Sequence, residues 1–167
     1  LPVLEVLAKK ARIPLSIDTS KPAVASRALA AGATVLNDVS ALRADSSMPK
    51  IAAKFRTVIL MHRGGESPRT MQNNPQYQDV VAEIGHFFRE RIATFLDAGG
   101  LLSSVWLDPG IGFGKTLEHN LNILGQLEDF RTLGRPLVLG ASRKSFIASL
   151  LKQEKTLEVS GVFIEIG

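Results

Sequence analysis

Residues 105–120 read VWLDPGIGFGKTLEHN: a short apolar run, an aspartate, a glycine-rich loop and the opening of a helix. The loop DPGIGFGKT, Asp108 to Thr116, comes close to a phosphate cradle, which needs a glycine, four residues and then Gly-Lys-Thr. Gly114, Lys115 and Thr116 supply that ending, but Pro109 occupies the place of the first glycine and Gly110 stands one position late. The dinucleotide rule fails as well, because it requires glycine where Lys115 stands. A nucleotide is therefore not the expected ligand. The better reading is that the glycines permit a tight, irregular backbone that leaves Asp108 and Phe113 facing a pocket.

The same strand, polar end and helix recur along the chain. Ile13–Ile17 ends at Asp18 and Thr19 and leads to a helix over Pro22–Ala31 closed by Gly32. Thr34–Leu36 ends at Asn37 and Asp38, and a helix follows around Met48–Phe55. Thr57–Leu60 ends at Met61 and His62. After the polar stretch RGGESPRTMQNNPQ, Val80, Ile84, Phe87, Phe88, Ile92 and Phe95 mark a long amphipathic helix over Tyr77–Ala98, stopped by Gly99 and Gly100. Val105–Leu107 ends at Asp108, with a helix over Leu117–Phe130. Pro136–Leu139 is the fifth run, ending at Gly140 to Lys144, and a further helix starts near Ser145. The opening LPVLEVLAKKA is already helical, and with Leu1 in first place the chain reads as starting mid-protein.

About five parallel βα units suit two folds. One is an open doubly wound sheet, which 167 residues would fill; the other is part of a (β/α)8 barrel, which as a whole takes ~250 residues. Runs this apolar suit parallel strands covered on both faces. In either fold the chemistry lies at the carboxyl ends of the strands, where Asp18, Asn37, Asp38, Met61, His62, Asp108, Ser142, Arg143 and Lys144 make a polar ring. Any one of these side chains has an ordinary role in capping the next helix or shaping its turn. Five successive strands ending in hydrogen-bonding groups also describe a small-molecule site.

Composition narrows the ligand. The chain has no cysteine, which removes disulfides and thiolate chemistry, and its three histidines lack metal-ligand spacing. The 20 basic and 16 acidic residues are scattered, a pattern that suits a small anion better than nucleic acid. Neither a membrane span nor a secretory signal is written in the sequence, so the expected location is cytoplasmic.

The motifs SIDTSK (Ser16–Lys21), NDVS (Asn37–Ser40), LMH (Leu60–His62), DPGIGFGKT and GASRKSF (Gly140–Phe146) together resemble those of the dihydropteroate synthases, in family order and spacing. The resemblance implies a (β/α)8 barrel of which this chain matches the third to seventh strands, as a single pterin-binding domain over 1–167 truncated at both ends. It implies condensation of 6-hydroxymethyl-7,8-dihydropterin diphosphate with para-aminobenzoate, releasing pyrophosphate, with magnesium as cofactor.

By the same resemblance Asp18, Asn37, Val39, Met61, Asp108, Phe113, Gly140 and Lys144 hold the pterin. Lys144 and Ser145 lie toward para-aminobenzoate, and Asp108 and Lys144 are the catalytic pair. Family members are often homodimers. The family's magnesium-binding asparagine and its Arg-x-His diphosphate grip have no counterpart here, and the chain instead finishes LEVSGVFIEIG. This leaves activity of the chain alone open, with a non-catalytic pterin-binding module and a pterin-dependent methyltransferase domain as alternatives. Unpaired sheet edges would favour self-association.

Overall fold

A computed structural model describes residues 2–65, 75–142, 144 and 146–148 of the chain. Arg143, Ser145, most of the polar stretch after His62 and the alternating Val162, Ile164 and Ile166 lie outside the described residues.

The elements run α1 (Pro2–Lys10), β1 (Ser16–Asp18), α2 (Pro22–Ala30), β2 (Val35–Asp38), α3 (Met48–Ala52), β3 (Thr57–Met61), α4 (Val80–Asp97), β4 (Val105–Asp108) and α5 (Leu117–Gly125). Short 3-10 turns at Leu102–Ser104 and Leu127–Leu133 complete them. All strand pairings are parallel, in the order β1-β2-β3-β4. The fifth expected run is reduced to one parallel bridge between Leu107 and Leu137. There the Leu107 N–H donates to Pro136 O at 2.9 Å and the Val138 N–H to Leu107 O at 2.8 Å.

Each new strand is thus added on the same side of the last. A doubly wound sheet must reverse its strand order once, so this progression excludes the open-sheet alternative and leaves the wall of a barrel.

Local chemistry accounts for the element limits. β1 starts at Ser16 rather than Ile13, because Pro14 has no N–H to give a ladder and Ile13 is exposed. α4 starts at Val80, the first residue of its apolar stripe and three residues later than the expected Tyr77. Asp79 caps it by accepting from the Val81 and Ala82 N–H groups, both at 3.0 Å, and Glu83 reaches back to the Gln78 N–H at 2.8 Å. The stripe itself is as expected: Val80, Ile84, Phe88 and Phe95 are buried.

One sheet face carries the core. Leu36, Asp38, Val58, Leu60, Val105 and Leu107 are fully buried, in one cluster with Ala25 and Ala28 of α2, Met48 and Ala52 of α3, Ile84 and Phe88 of α4 and Ile123 of α5, apart from the polar Asp38. The alternate residues Val35, Asn37, Ile59 and Trp106 are only half-buried. The strands are therefore covered by helices on one face, not on both as their apolar character suggests. Apolar residues on the second face are what the inside of a barrel requires.

Candidate functional site

In a parallel sheet, residues in register share a face. Asp18 pairs with Asn37, Asn37 with Ile59, and Ile59 with Trp106; two residues further on, Met61 pairs with Asp108. Asp18, Asn37, Met61 and Asp108 therefore stand on the half-covered face, at the carboxyl ends of four adjacent strands. Val39, half-buried, follows directly from the end of β2.

Asp18 does not cap α2. Its Oδ2 instead accepts from Asn37 Nδ2 at 3.2 Å, while the Thr19 hydroxyl takes the Lys21 N–H. Partial burial, reinforced by the charge of Asp38, holds the Asp18 carboxyl above its ordinary value, and the Asn37 bond offsets part of this. Asn37 Oδ1 is buried and has no hydrogen-bond partner. A buried acceptor left without a donor costs about 1–3 kcal/mol, so this oxygen is fitted to receive a donor from a ligand.

Asp38 faces the other way and serves structure. It accepts from the Ser40 N–H at 2.8 Å, the Ser40 hydroxyl at 2.7 Å and the Leu42 N–H at 2.9 Å. These bonds hold the turn in which Ala41 and Leu42 adopt φ of 49° and 66°.

The loop after β4 folds back onto the end of β3. The Asp108 Oδ1 accepts the Gly110 N–H at 2.7 Å, and burial, only partly countered by that bond and by Lys144 and Lys115, raises the pKa of its carboxyl. Gly110 has φ 68°, and a side chain there would collide with the His62 carbonyl. Gly114, at φ 66°, packs its backbone on Gly64, where an added Cβ would come within 2.7 Å of the Gly64 Cα. The glycines thus permit backbone-on-backbone contact rather than a phosphate cradle.

Lys115 settles the same point. Its side chain is 4% exposed, and its Nζ donates to Gly110 O at 3.0 Å and Phe113 O at 3.1 Å and lies 3.0 Å from His62 Nδ1. Burial lowers its pKa to about 7, against the pull of Asp108. His62 is driven to about 2 by burial, then by the charges of Lys115 and Arg43, so it is neutral and accepts at Nδ1 in the tautomer protonated at Nε2. The helix opens at Leu117, after the lysine, with Thr116 and His119 forming a capping box.

Lys144 joins this loop from the far side. Its Nζ donates to Ile111 O at 2.9 Å and stands 3.8 Å above the centre of the Phe113 ring, a cation–π contact. Burial lowers its pKa and Asp108 opposes the shift, which brings Asp108, Phe113 and Lys144 into one electrostatic group.

Gly140 is exposed, and a Cβ there would meet nothing within 4 Å, so no contact in the structure requires glycine at that position. Ser145 lies outside the described residues.

Asn120 and Trp106 are not marked by any motif in the sequence, and Lys115 is marked there only as the lysine of a near phosphate cradle. Asn120, buried in α5, accepts the Gly112 N–H at 2.7 Å and donates to Thr116 O at 2.7 Å. Trp106 was hidden inside an apolar run; its place two residues before Asp108 is the signal that puts it on the same face. A separate groove lined by Asp79, Ala82, Arg89, Gln126 and Asp129 contains none of the strand-end residues.

Comparison with known proteins bears on the family and the fold. The sequence profile described as "Pterin binding enzyme" matches residues 1–165. Dihydropteroate synthase of Escherichia coli K12 is 40% identical over 161 residues, which is 96% of this chain and 57% of that protein. The Synechocystis enzyme is 42% identical over 154 residues, 92% of this chain and 53% of its own length.

Among solved structures, dihydropteroate synthase from Stenotrophomonas maltophilia with imidazole in its active site superposes with a TM-score of 0.85 at 42% identity, covering 93% of this chain and 58% of that one. The Xanthomonas albilineans enzyme in complex with 7,8-dihydropteroate gives 0.81 at 40% identity, covering 91% and 56%. The chain thus spans a little over half the length of these relatives. The sheet is part of the (β/α)8 barrel of those enzymes, and the profile match over nearly its whole length shows that the chain belongs to the family of pterin binding enzymes.

Proposed function

We propose that the strand-end face binds a dihydropterin and that the chain represents part of a dihydropteroate synthase, with residues 1–167 forming a single pterin-binding unit. The observation that carries this reading is the donorless Asn37 Oδ1 on the same sheet face as Asp18 and Asp108. The pyrimidine edge of a pterin presents an exocyclic amine beside a ring N–H, and a carboxylate accepts from both. Asp108 takes that edge, Asn37 offers one acceptor and one donor to the ring, and Asp18 accepts a further donor. Met61, Val39 and Phe113 form apolar walls, Gly140 borders the pocket, and Ser145 with the stem of Lys144 lies toward para-aminobenzoate.

In the reaction the amine nitrogen of para-aminobenzoate bonds to the exocyclic methylene carbon of the pterin. The carbon–oxygen bond to diphosphate breaks, pyrophosphate leaves with the electron pair, and the amine gives up a proton to solvent. Positive charge spreads over the pterin as the leaving group departs, and the Asp108 carboxylate stabilises it. Orientation and electrostatics carry the rate, with no covalent enzyme intermediate. Lys144 directs positive charge toward the pterin carbonyl or ring nitrogen.

The family reading extends to magnesium on the pyrophosphate, a cytoplasmic setting and a homodimer. Among the described residues no group of three or more His, Asp or Glu side chains is placed to hold a metal ion, and magnesium in such a reaction is carried largely by the substrate's phosphates with one or two protein ligands. No helix among them is long and apolar enough to cross a membrane.

The test is a titration with 6-hydroxymethyl-7,8-dihydropterin followed by incubation with the diphosphate form, magnesium and labelled para-aminobenzoate. Saturable binding supports the pocket and labelled dihydropteroate supports the full reaction. Binding without product identifies a pterin-binding module, and absence of binding rejects the proposal.

A further inference from the structure

The buried ammonium of Lys115 has no part in the chemistry above, yet it is the most connected side chain of the loop. Its four acceptors lie on two segments: Gly110 O at 3.0 Å and Phe113 O at 3.1 Å within the loop, His62 Nδ1 at 3.0 Å and His62 O at 3.4 Å at the end of β3. A side chain that is 4% exposed gives up hydration to reach that place, so its bonds must replace the water it loses.

What it holds is the part of the loop that frames the site. The Gly110 carbonyl receives both the Lys115 ammonium and the Phe113 N–H, the latter at 3.0 Å. The N–H of the same Gly110 binds the Asp108 carboxylate. The Phe113 carbonyl receives Lys115 and, at 3.2 Å, the Gly64 N–H. One ammonium therefore grips both ends of the arc whose first residue orients Asp108 and whose last carries the ring under Lys144. Glycine at 110, 112 and 114, with φ of 68°, 78° and 66°, gives the arc little stiffness of its own.

We propose that Lys115 is a positioning residue of the pterin site: by tying the Gly110 and Phe113 carbonyls to His62 it fixes the Asp108 carboxylate and the Phe113 ring in their binding orientation. The ligand concerned is the pterin ring, so this rests on the function proposed above.

The experiment compares the wild-type chain with Lys115→Met, which keeps the length and removes the donor, and Lys115→Gln, which keeps a shorter donor. Two quantities are measured: 6-hydroxymethyl-7,8-dihydropterin affinity, followed by the fluorescence of Trp106, the sole tryptophan, and amide hydrogen exchange. Lys115→Met should bind at least about tenfold more weakly, with Lys115→Gln in between. Exchange should accelerate at Gly110, Phe113 and Gly64 while the Leu60 and Leu107 amides keep their protection. Wild-type affinity with unchanged exchange at Gly110 and Phe113 overturns the proposal, and so does acceleration spread equally over α4 and the sheet, which marks a general loss of stability. If the wild-type chain binds no pterin the functional reading fails, and the exchange comparison alone still decides whether Lys115 holds the loop.

Discussion

Asn37 and Asp18 meet across β1 and β2, with Asn37 Nδ2 3.2 Å from Asp18 Oδ2, and this contact orients the amide so that its Oδ1 is buried without a donor. The fold thus carries an unfavourable polar atom at the site proposed for the ligand. Asn37→Leu removes that atom, and its melting temperature should equal or exceed that of the wild type, while pterin affinity falls ten- to hundredfold. Calorimetric melts and a pterin titration read the two effects separately. A loss of stability without loss of binding would place Asn37 in the framework instead.

Asp108 and Lys144 should behave as a pair that acts on the ligand. Asp108→Ala and Lys144→Ala are each expected to weaken pterin binding by about 1.5–3 kcal/mol, the range for hydrogen bonds to charged groups. Isothermal titration of the two variants checks this, and unchanged affinity in both would remove them from the site.

His62 should make the fold acid-sensitive. Its folded pKa, about 2, lies below its ordinary value of 6.5, so between those values the unfolded chain binds a proton that the folded chain refuses. Stability from this group is complete above pH 6.5 and is lost as pH falls, by at most about 1.4 kcal/mol per pH unit. Lys115, at about 7 instead of 10.5, acts with the same sign at higher pH, adding stability as pH rises from 7 to 10.5. Denaturant melts of the wild type and His62→Gln across pH 4 to 7 should differ in slope, and parallel curves would exclude His62 as the cause.

Asp38→Ala should destabilise the fold although its side chain faces away from the ligand. The lost carboxylate leaves the Ser40 and Leu42 N–H groups without their acceptor in a turn that already holds Ala41 and Leu42 in the left-handed region. A cost of about 2–4 kcal/mol is expected. Urea melts measure it, and an unchanged melting midpoint would show that the turn does not depend on the carboxylate.

Gly110→Ala tests the loop's contact with β3. Its Cβ would collide with the His62 carbonyl, which is backbone and cannot rotate away. The variant should lose pterin binding and Gly110 amide protection together, whereas Gly134→Ala, at φ 63° with nothing within 4 Å of the added Cβ, should lose only about 1 kcal/mol of stability.

The sequence by itself determined the repeating unit and the residues at its strand ends. Parallel strands alternate with helices because short apolar runs and 3.6-residue stripes are local patterns, and Asp18, Asn37, Met61 and Asp108 follow from where each run stops. Recognition of the family came from the order of those short motifs. Strand order was not legible from the apolar runs themselves, which look alike whether the sheet reverses or progresses; the resemblance of the motifs implied the barrel, and the observed pairing bears it out.

Tertiary structure also divided neighbours that look equivalent in the chain. Asn37 and Asp38 are adjacent polar residues, but the two-residue period of a strand sends one to the ligand face and the other beneath the helices. The role of Lys115 was decided in the same way. In the chain it follows a glycine loop, as a phosphate-binding lysine would. In the fold, Gly110 and Gly114 let the loop lie directly on residues 62–64, and the ammonium turns inward to the Gly110 and Phe113 carbonyls and to His62. DPGIGFGKT therefore presents Asp108 and Phe113 to the site and keeps its lysine for itself, because the charge is claimed by two carbonyls of its own loop and by His62, 53 residues earlier in the sequence.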